Sequence, residues 1–381
     1  MRSIFWHKNP YDLEKSEVLF RKKMIDNMLF QYANCKEYQE LMNARGFDEE
    51  KIKSIQSIEE IPFIPTLYFK HHQMDSVPFD RFMTRATSSG TSGNKSVIGY
   101  DLKTLWRSLG MVLSIGRVHR LWSFRPCHYI ILGYEHKGLL WGSPRVEEKA
   151  VAKTAYGFTF FAPALSRTYA LKYKDGDYVL NLEDIKQKLI QYSKGKTPVR
   201  IMGFPFHAHW LLTKMKEEGI SCPLPEGSMM AFGGGWKQYY TQRADKETMY
   251  ALVKEVLDIP EEMCREFFGA VEHPILYCDC PKHHFHIPVY ARAVIRDVDT
   301  YEPVPKGTPG LLNLLTPLVN SAPLLSIMTD DLAILHDASE CGCNINTPYL
   351  EILGRVGMED ITTCAAGAEK LVQAAVMEDA E

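Results

Sequence analysis

The sequence predicts a layered α/β fold, and three observations carry that prediction. Short apolar, strand-like runs alternate with helical stretches of roughly 10–15 residues, the signature of βαβ units. From about residue 275 the pattern changes to strands and turns rich in Pro and Gly. The 381 residues are 45% hydrophobic and 24% charged, an ordinary balance for a chain that buries a large core.

The elements follow in order. Leu13, Val18, Leu19, Met24, Ile25, Leu29 and Phe30 recur at helical spacing, so 13–45 reads as a helix that Gly46 can end. Pro62, Pro65 and Pro78 interrupt the next section, which leads into a Ser/Gly-rich loop. Val97–Tyr100 reads as a strand, and Asp101 as the N-cap of a helix running to about Arg117. Further strands are expected at His128–Tyr134, Val199–Gly203, Met229–Phe232 and Arg265–Phe268. Helices are expected over 145–155, Asn181–Tyr192, Ala208–Glu218 and 244–257. No repeat or low-complexity linker divides the chain. Gly354-Arg355 is the clearest boundary: a large domain over 1–353, with a helical lead-in of about 60 residues, then a short polar tail over 354–381.

Composition excludes several classes. A formal net charge of −3 offers no basic field for nucleic acid. The N-terminus lacks the apolar core of a signal peptide, and no window reaches the roughly 18 apolar residues of a membrane span. No membrane insertion and a cytoplasmic location are expected. Nine cysteines, an odd number without a secretion signal, speak against a disulfide framework.

Ser88-Ser89-Gly90-Thr91-Ser92-Gly93-Asn94-Lys95 is the most informative stretch. Glycines let several backbone N–H groups converge on an anion, hydroxyls add short donors, and Lys95 adds charge. The spacing is not that of the NTPase P-loop, which needs glycine where Ser89 and Asn94 stand. A flexible surface loop is the ordinary alternative. Gly233-Gly234-Gly235 closes an expected strand, where α/β sheets bind ligands. Phe268-Gly269 with Glu272 places an aromatic, a glycine and an acid after another strand. Thr329-Asp330-Asp331 sets two acids between apolar runs, and such a carboxylate can accept ribose hydroxyls or help hold Mg²⁺. Each taken alone is also an ordinary turn or solvated corner.

In this order, the segments resemble the adenylate-forming synthetases, over roughly residues 60–365. Ser88–Lys95 resembles their phosphate loop. Phe268, Gly269 and Glu272 resemble their Tyr-Gly-x-Thr-Glu, with Phe replacing Tyr and Val271 replacing Thr. Thr329–Asp331 resembles their Thr-Gly-Asp, with Asp331 at the ribose-binding aspartate, and Gly354-Arg355 resembles their hinge. Within that superfamily, Phe-Gly-Gly-Gly-Trp-Lys at 232–237 and Phe-Gly-x-Val-Glu-His at 268–273 look closest to the acyl-protein synthetases of bacterial luminescence. Cys341-Gly342-Cys343 is similar to a segment of phenylacetate–CoA ligases.

The resemblance implies an adenylate-forming large domain with a much-shortened C-terminal segment, since 26 residues follow Arg355. It implies ATP, Mg²⁺ and a carboxylic, fatty acid as reactants, giving an acyl-AMP and then a thioester. Thr91 and Glu272 would associate with Mg²⁺, Lys95 and the loop amides with the departing pyrophosphate. Phe268 would cover the adenine, and Gly233–Gly235 would let the base approach the backbone. Cys364 lies where the family's acyl-accepting cysteine lies, and its acyl group would pass to a reductase partner. Nothing in the sequence around Cys364 shows a lowered thiol pKa, and a lone cysteine is ordinarily a small apolar residue. The acid pocket is expected around Phe204–Trp210 and Met229–Phe232, with His207 as gate or packing.

Cys278-Asp279-Cys280-Pro281-Lys282-His283-His284-Phe285-His286 lies about 60 residues before Cys341-Gly342-Cys343. Two knuckles of soft ligands suit a closed tetrahedral Zn²⁺ site. By similarity to the phenylacetate–CoA ligases, the expected ligands are Cys280, His286, Cys341 and Cys343, with Cys278, His283 and His284 as alternates. Two other functions stay open: an aryl- or acyl-CoA ligase, and a zinc-stabilised nucleotide-binding protein without turnover.

Overall fold

Parallel strands that are buried on both faces need apolar side chains in both directions, and the central runs of this chain supply them. In the computed structural model, which describes residues 3–88, 95–136, 147–174, 176–234 and 244–355, they form a seven-stranded sheet. Its order is Tyr277–Cys278, Cys264–Phe268, Met229–Gly233, Val199–Gly203, Cys127–Tyr134, Ala164–Lys174, Asp177–Leu180. The five inner strands are parallel and the two outer ones antiparallel to their neighbours. Alternate residues feed two cores, as the period of two requires. Ile130, Leu132, Ile201 and Met230 pack with the helices Leu182–Ser193, Pro205–Glu217 and Lys246–Leu257. Tyr129, Ile131, Met202 and Ala231 face the other core, shared with Phe158, Phe161 and the N-terminal helices.

The C-terminal part forms a second, antiparallel sheet in the order Phe285–His286, Tyr349–Arg355, Ser326–His336, Gly310–Leu315, Arg292–Arg296. Ile64–Pro65 adds to it parallel to Ile327 and Met328, tying the lead-in to this sheet. A third, small sheet joins the hairpin Phe82–Thr87 and Val97–Asp101 to Glu147–Lys149.

Several expectations shift. The lead-in helix breaks at Cys35, whose extended backbone (φ −123°, ψ 103°) separates Glu17–Asn34 from Lys36–Ala44. The helix expected over 145–155 is Ala150–Phe158, preceded by the strand Glu147–Lys149. The helix expected from Ala208 starts at Pro205, where the ring's missing N–H costs nothing in a first turn. Ala164–Lys174 and Asp177–Leu180 are strands that no long apolar run announces: only Thr168–Leu171 of the first is buried, and the second is the sheet's edge, with Tyr173 and Val179 exposed. Among the described residues, no helix is long and apolar enough to cross a membrane.

Candidate active site

The Ser/Gly loop is the turn of the Phe82–Thr87/Val97–Asp101 hairpin, whose last strand pair is Thr87 with Val97. One step further out, the Ser88 N–H donates to the Ser96 carbonyl and the Ser96 N–H donates to Ser88 Oγ, both at 2.9 Å. These two bonds clamp the neck of the loop. Lys95 stands exposed at that neck. Ser89, Gly90, Thr91, Ser92 and Gly93 lie outside the described residues.

Three parallel strands end side by side on one edge of the central sheet. Gly203 pairs with Phe232, and Gly233 with Phe267, so Gly203, Gly233 and Phe268 line the carboxyl edge where such sheets bind ligands. Gly234 has φ +90°, and a Cβ there would lie 2.8 Å from the Phe204 ring. Glycine is therefore dictated at this position by backbone and by packing. Gly235 lies outside the described residues. Phe268 is half-buried, its ring 5.7 Å from Tyr277 and 5.8 Å from Phe285.

A tight turn after Phe268 delivers Glu272. A Cβ on Gly269 would come within 2.9 Å of the Ile275 carbonyl, and the His273 N–H closes onto the Ala270 carbonyl at 3.2 Å. Glu272 is buried, and among the described residues no hydrogen bond engages its carboxylate. The Tyr100 hydroxyl donates to the Val271 carbonyl at 3.1 Å. Tyr100 belongs to the strand that leaves the loop, so this bond fixes Glu272 at the root of the Ser/Gly hairpin. Burial raises the Tyr100 phenol, and the Glu272 charge raises it further. The next residue, His273, is fully buried; its Nε2 meets the Tyr277 hydroxyl at 3.0 Å and its Nδ1 has no partner. Burial lowers its imidazole to about 3. His207 repeats the pattern near the sheet edge, with Nδ1 donating to the Leu132 carbonyl at 3.1 Å, Nε2 unpartnered and a pKa lowered by burial to about 4.

Asp331 and Arg355 sit opposite each other on neighbouring strands of the second sheet, with Leu332 opposite Gly354. The Asp331 N–H donates to Thr329 Oγ1 at 3.2 Å, and that hydroxyl donates to the Leu312 carbonyl at 3.1 Å. Thr329 thus fixes the backbone from which Asp331 projects. Cys364 lies outside the described residues.

The cysteine and histidine knuckles meet at the second sheet. Cys280, His286, Cys341 and Cys343 each place one ligand atom within 4.8 Å of all the others. His286 Nε2 is 3.2 Å from Cys341 Sγ and 3.1 Å from Cys343 Sγ; Cys280 and Cys341 sulfurs are 3.6 Å apart. That separation is far beyond a disulfide bond and close to the roughly 3.8 Å between two sulfurs on one tetrahedral Zn²⁺. His286 Nδ1 donates to the Thr347 carbonyl at 2.6 Å, which leaves Nε2 as the acceptor facing the sulfurs. The Lys282 N–H donates to Cys280 Sγ at 3.3 Å, and Gly342 turns the second knuckle with φ +68°. Two of the three alternates are engaged elsewhere, and the third, His284, touches the cluster. Cys278 is buried opposite Phe267, and His283 is held by Asp279 at 2.6 Å. His284 Nδ1 reaches Cys341 Sγ at 3.1 Å while its ring stacks on Tyr349. Tyr100 and Thr347 escaped the sequence reading: each acts through one hydrogen bond to a residue remote in the chain, which no local motif announces.

A glycine-lined parallel sheet, a clamped Ser/Gly hairpin and an antiparallel second sheet define the fold of the adenylate-forming ligases. A 2-hydroxyisobutyryl-CoA ligase, solved in the postadenylation state in complex with 2-HIB-AMP, superposes with a TM-score of 0.67 over 97% of this chain and 76% of its own, at 15% identity. The family model "Acyl-protein synthetase, LuxE" matches residues 3–372, and the chain belongs to that family. It is 24% identical to a long-chain-fatty-acid–luciferin-component ligase of Aliivibrio fischeri over 97% of this chain and 93% of that one. The Vibrio harveyi protein of the same name is 26% identical over 93% of this chain and 88% of its own. A phenylacetate-coenzyme A ligase of Thermus thermophilus is 22% identical over 86% and 68%. The chain is an ATP-dependent, AMP-forming acid–thiol ligase.

Proposed function

We propose that this chain activates a long-chain fatty acid as its acyl-AMP and then carries the acyl group as a thioester on Cys364. The observation that supports this most is the placement of Glu272 at the root of the Ser/Gly hairpin, in a chain that matches the acyl-protein synthetase family almost end to end.

In the first step a carboxylate oxygen of the acid attacks the α-phosphorus of ATP, and the bond to pyrophosphate breaks. Such a displacement depends on positioning and on electrostatics aimed at the phosphate oxygens. The Ser88–Ser96 clamp holds the neck of the loop, and Lys95 with the amides and hydroxyls of Ser89–Gly93 would bind the departing pyrophosphate. Thr91 and the unengaged carboxylate of Glu272 would hold Mg²⁺, which supplies positive charge between the phosphates. Phe268 covers the adenine, Gly233–Gly235 let the base lie against the backbone, and Asp331 takes the ribose hydroxyls. Arg355 marks the hinge between residues 1–353 and the tail 354–381. The acid lies near Phe204–Trp210 and Met229–Phe232. In the second step the Cys364 thiolate attacks the acyl carbon, and the bond to AMP breaks. The thioester then passes to a reductase partner, in the cytoplasm.

Cys280, His286, Cys341 and Cys343 would hold a structural Zn²⁺, since four protein ligands would leave no position for a reacting water.

The test is covalent labelling: protein, ATP, Mg²⁺ and a radiolabelled fatty acid, with Cys364→Ala beside wild type. Label on wild type alone is expected. A protein that stays unlabelled but forms acyl-CoA when free CoA is added would be a CoA ligase instead.

A further inference from the structure

The helix Leu102–Val118 buries Thr104, Met111, Ser114 and Ile115, and its opposite face should be polar if water covers it. That face instead carries Leu102, Trp106, Leu109 and Leu113, all exposed and spaced +4, +3, +4 along one stripe, with Trp106 60% exposed. Trp6 extends the stripe, its ring 4.6 Å from that of Trp106. Gly110 makes the approach possible, since a Cβ there would lie 2.7 Å from the Trp6 ring. At the helix C-terminus, Trp122 packs on Gly116 and is itself exposed, and Phe124 is wholly so.

The charges around this stripe are of one sign. Residues 102–134 contain Lys103, Arg107, Arg117, Arg120 and Arg125 and no acid. Among the described residues none of the five makes an ion pair, and the one carboxylate whose charge acts on Lys103 and Arg107 is that of Asp101. Lys103 reaches Asn320 Oδ1, while Arg107, Arg117 and Arg125 bond backbone carbonyls. Asp101, just before the helix, is committed as its N-cap to the Thr104 N–H at 2.9 Å.

We propose that this face docks on the surface of an anionic lipid bilayer, with the Trp and Leu side chains at the headgroup boundary and the Arg and Lys side chains against the lipid phosphates. Exposed tryptophans beside the exposed cations Lys103, Arg117, Arg120 and Arg125, on and around one amphipathic helix, are the chemistry of interfacial binding. A two-fold contact with a second copy is disfavoured, because it would set the same cations against one another. Docking without insertion would deliver an amphiphilic acid from the bilayer, but the binding itself does not depend on the proposed reaction.

Flotation of the full chain with vesicles tests this, using phosphatidylcholine alone and phosphatidylcholine mixed with phosphatidylglycerol. Wild type is expected to float with the anionic vesicles, with a blue shift in tryptophan emission and release at high salt. Trp106→Glu/Leu113→Glu should weaken flotation more than tenfold while leaving pyrophosphate exchange in detergent-dispersed acid unchanged. Arg120→Asn, chosen because Arg120 has φ +54°, should weaken it by about fivefold. Absence of flotation overturns the proposal. If the same wild type is a dimer that Trp106→Glu/Leu113→Glu dissociates, a second copy covers the face instead.

Discussion

At Glu272 the charge, burial and hydrogen bonding diverge in a way that suits a ligand rather than a scaffold. The residue is buried, yet no hydrogen bond engages its carboxylate among the described residues. Glu272→Gln should therefore leave the melting temperature nearly unchanged. It should lower the rate of acyl-AMP formation by about 10²–10³-fold, the usual cost of losing one preorganised electrostatic group. Thermal melting and single-turnover kinetics on the same preparation check both halves. His207 and His273 behave oppositely, as structural groups with a pH signature. An unfolded imidazole binds its proton near pH 6.5, but folded His207 binds one only near 4 and His273 near 3. Between those values the unfolded state carries more protons, so stability falls as pH falls through this window. For His207 alone the loss is on the order of 3 kcal/mol between pH 6.5 and 4. Urea midpoints measured across pH should show this acid limb, and His207→Gln should flatten it.

Turns and knuckles at the element scale explain which parts of the site the sequence could disclose. Gly234 closes a strand at φ +90° against Phe204, so Gly234→Ala should cost about 1–2 kcal/mol in backbone strain, plus the clash, and lower the melting temperature by several degrees. The spacing of the knuckles at Cys280 and Cys341 announces a cluster of soft ligands, while the choice of four among seven rested on the resemblance to phenylacetate–CoA ligases; the structure brings Cys280, His286, Cys341 and Cys343 within 4.8 Å of one another. What the sequence could not show is that His283, within the same run, turns away to Asp279 and Tyr250. Metal analysis should find one zinc per chain, and Cys341→Ser should lose it together with stability. Elements with a strong period or a cap were legible: Asp101 caps its helix as expected, and Val199–Gly203 begins and ends where its apolar run does. Edge strands and the Cys35 break were not, because half-exposed strands mix polar with apolar residues and a helix break needs no glycine or proline.

For the whole molecule, the two large sheets meet where Phe268 at the edge of one packs on Phe285 of the other. Beside that junction stand Glu272 and, through Tyr100, the Ser/Gly hairpin, so a nucleotide's base and phosphates have their candidate partners on one rim. Gly233-Gly234 and Phe268-Gly269 were readable because they stand at the ends of parallel strands, whereas Thr329–Asp331 lies within the strand Ser326–His336 of the second sheet rather than between two strands. Their assembly was not readable, since the Tyr100–Val271 bond spans 171 residues. The central claim is activation of a fatty acid by adenylation, and it makes the exchange of labelled pyrophosphate into ATP the most direct measurement. The account predicts exchange that requires Mg²⁺ and a long-chain fatty acid, persists in Cys364→Ala and falls in Glu272→Gln. Exchange absent with every fatty, aryl and amino acid supplied would contradict it.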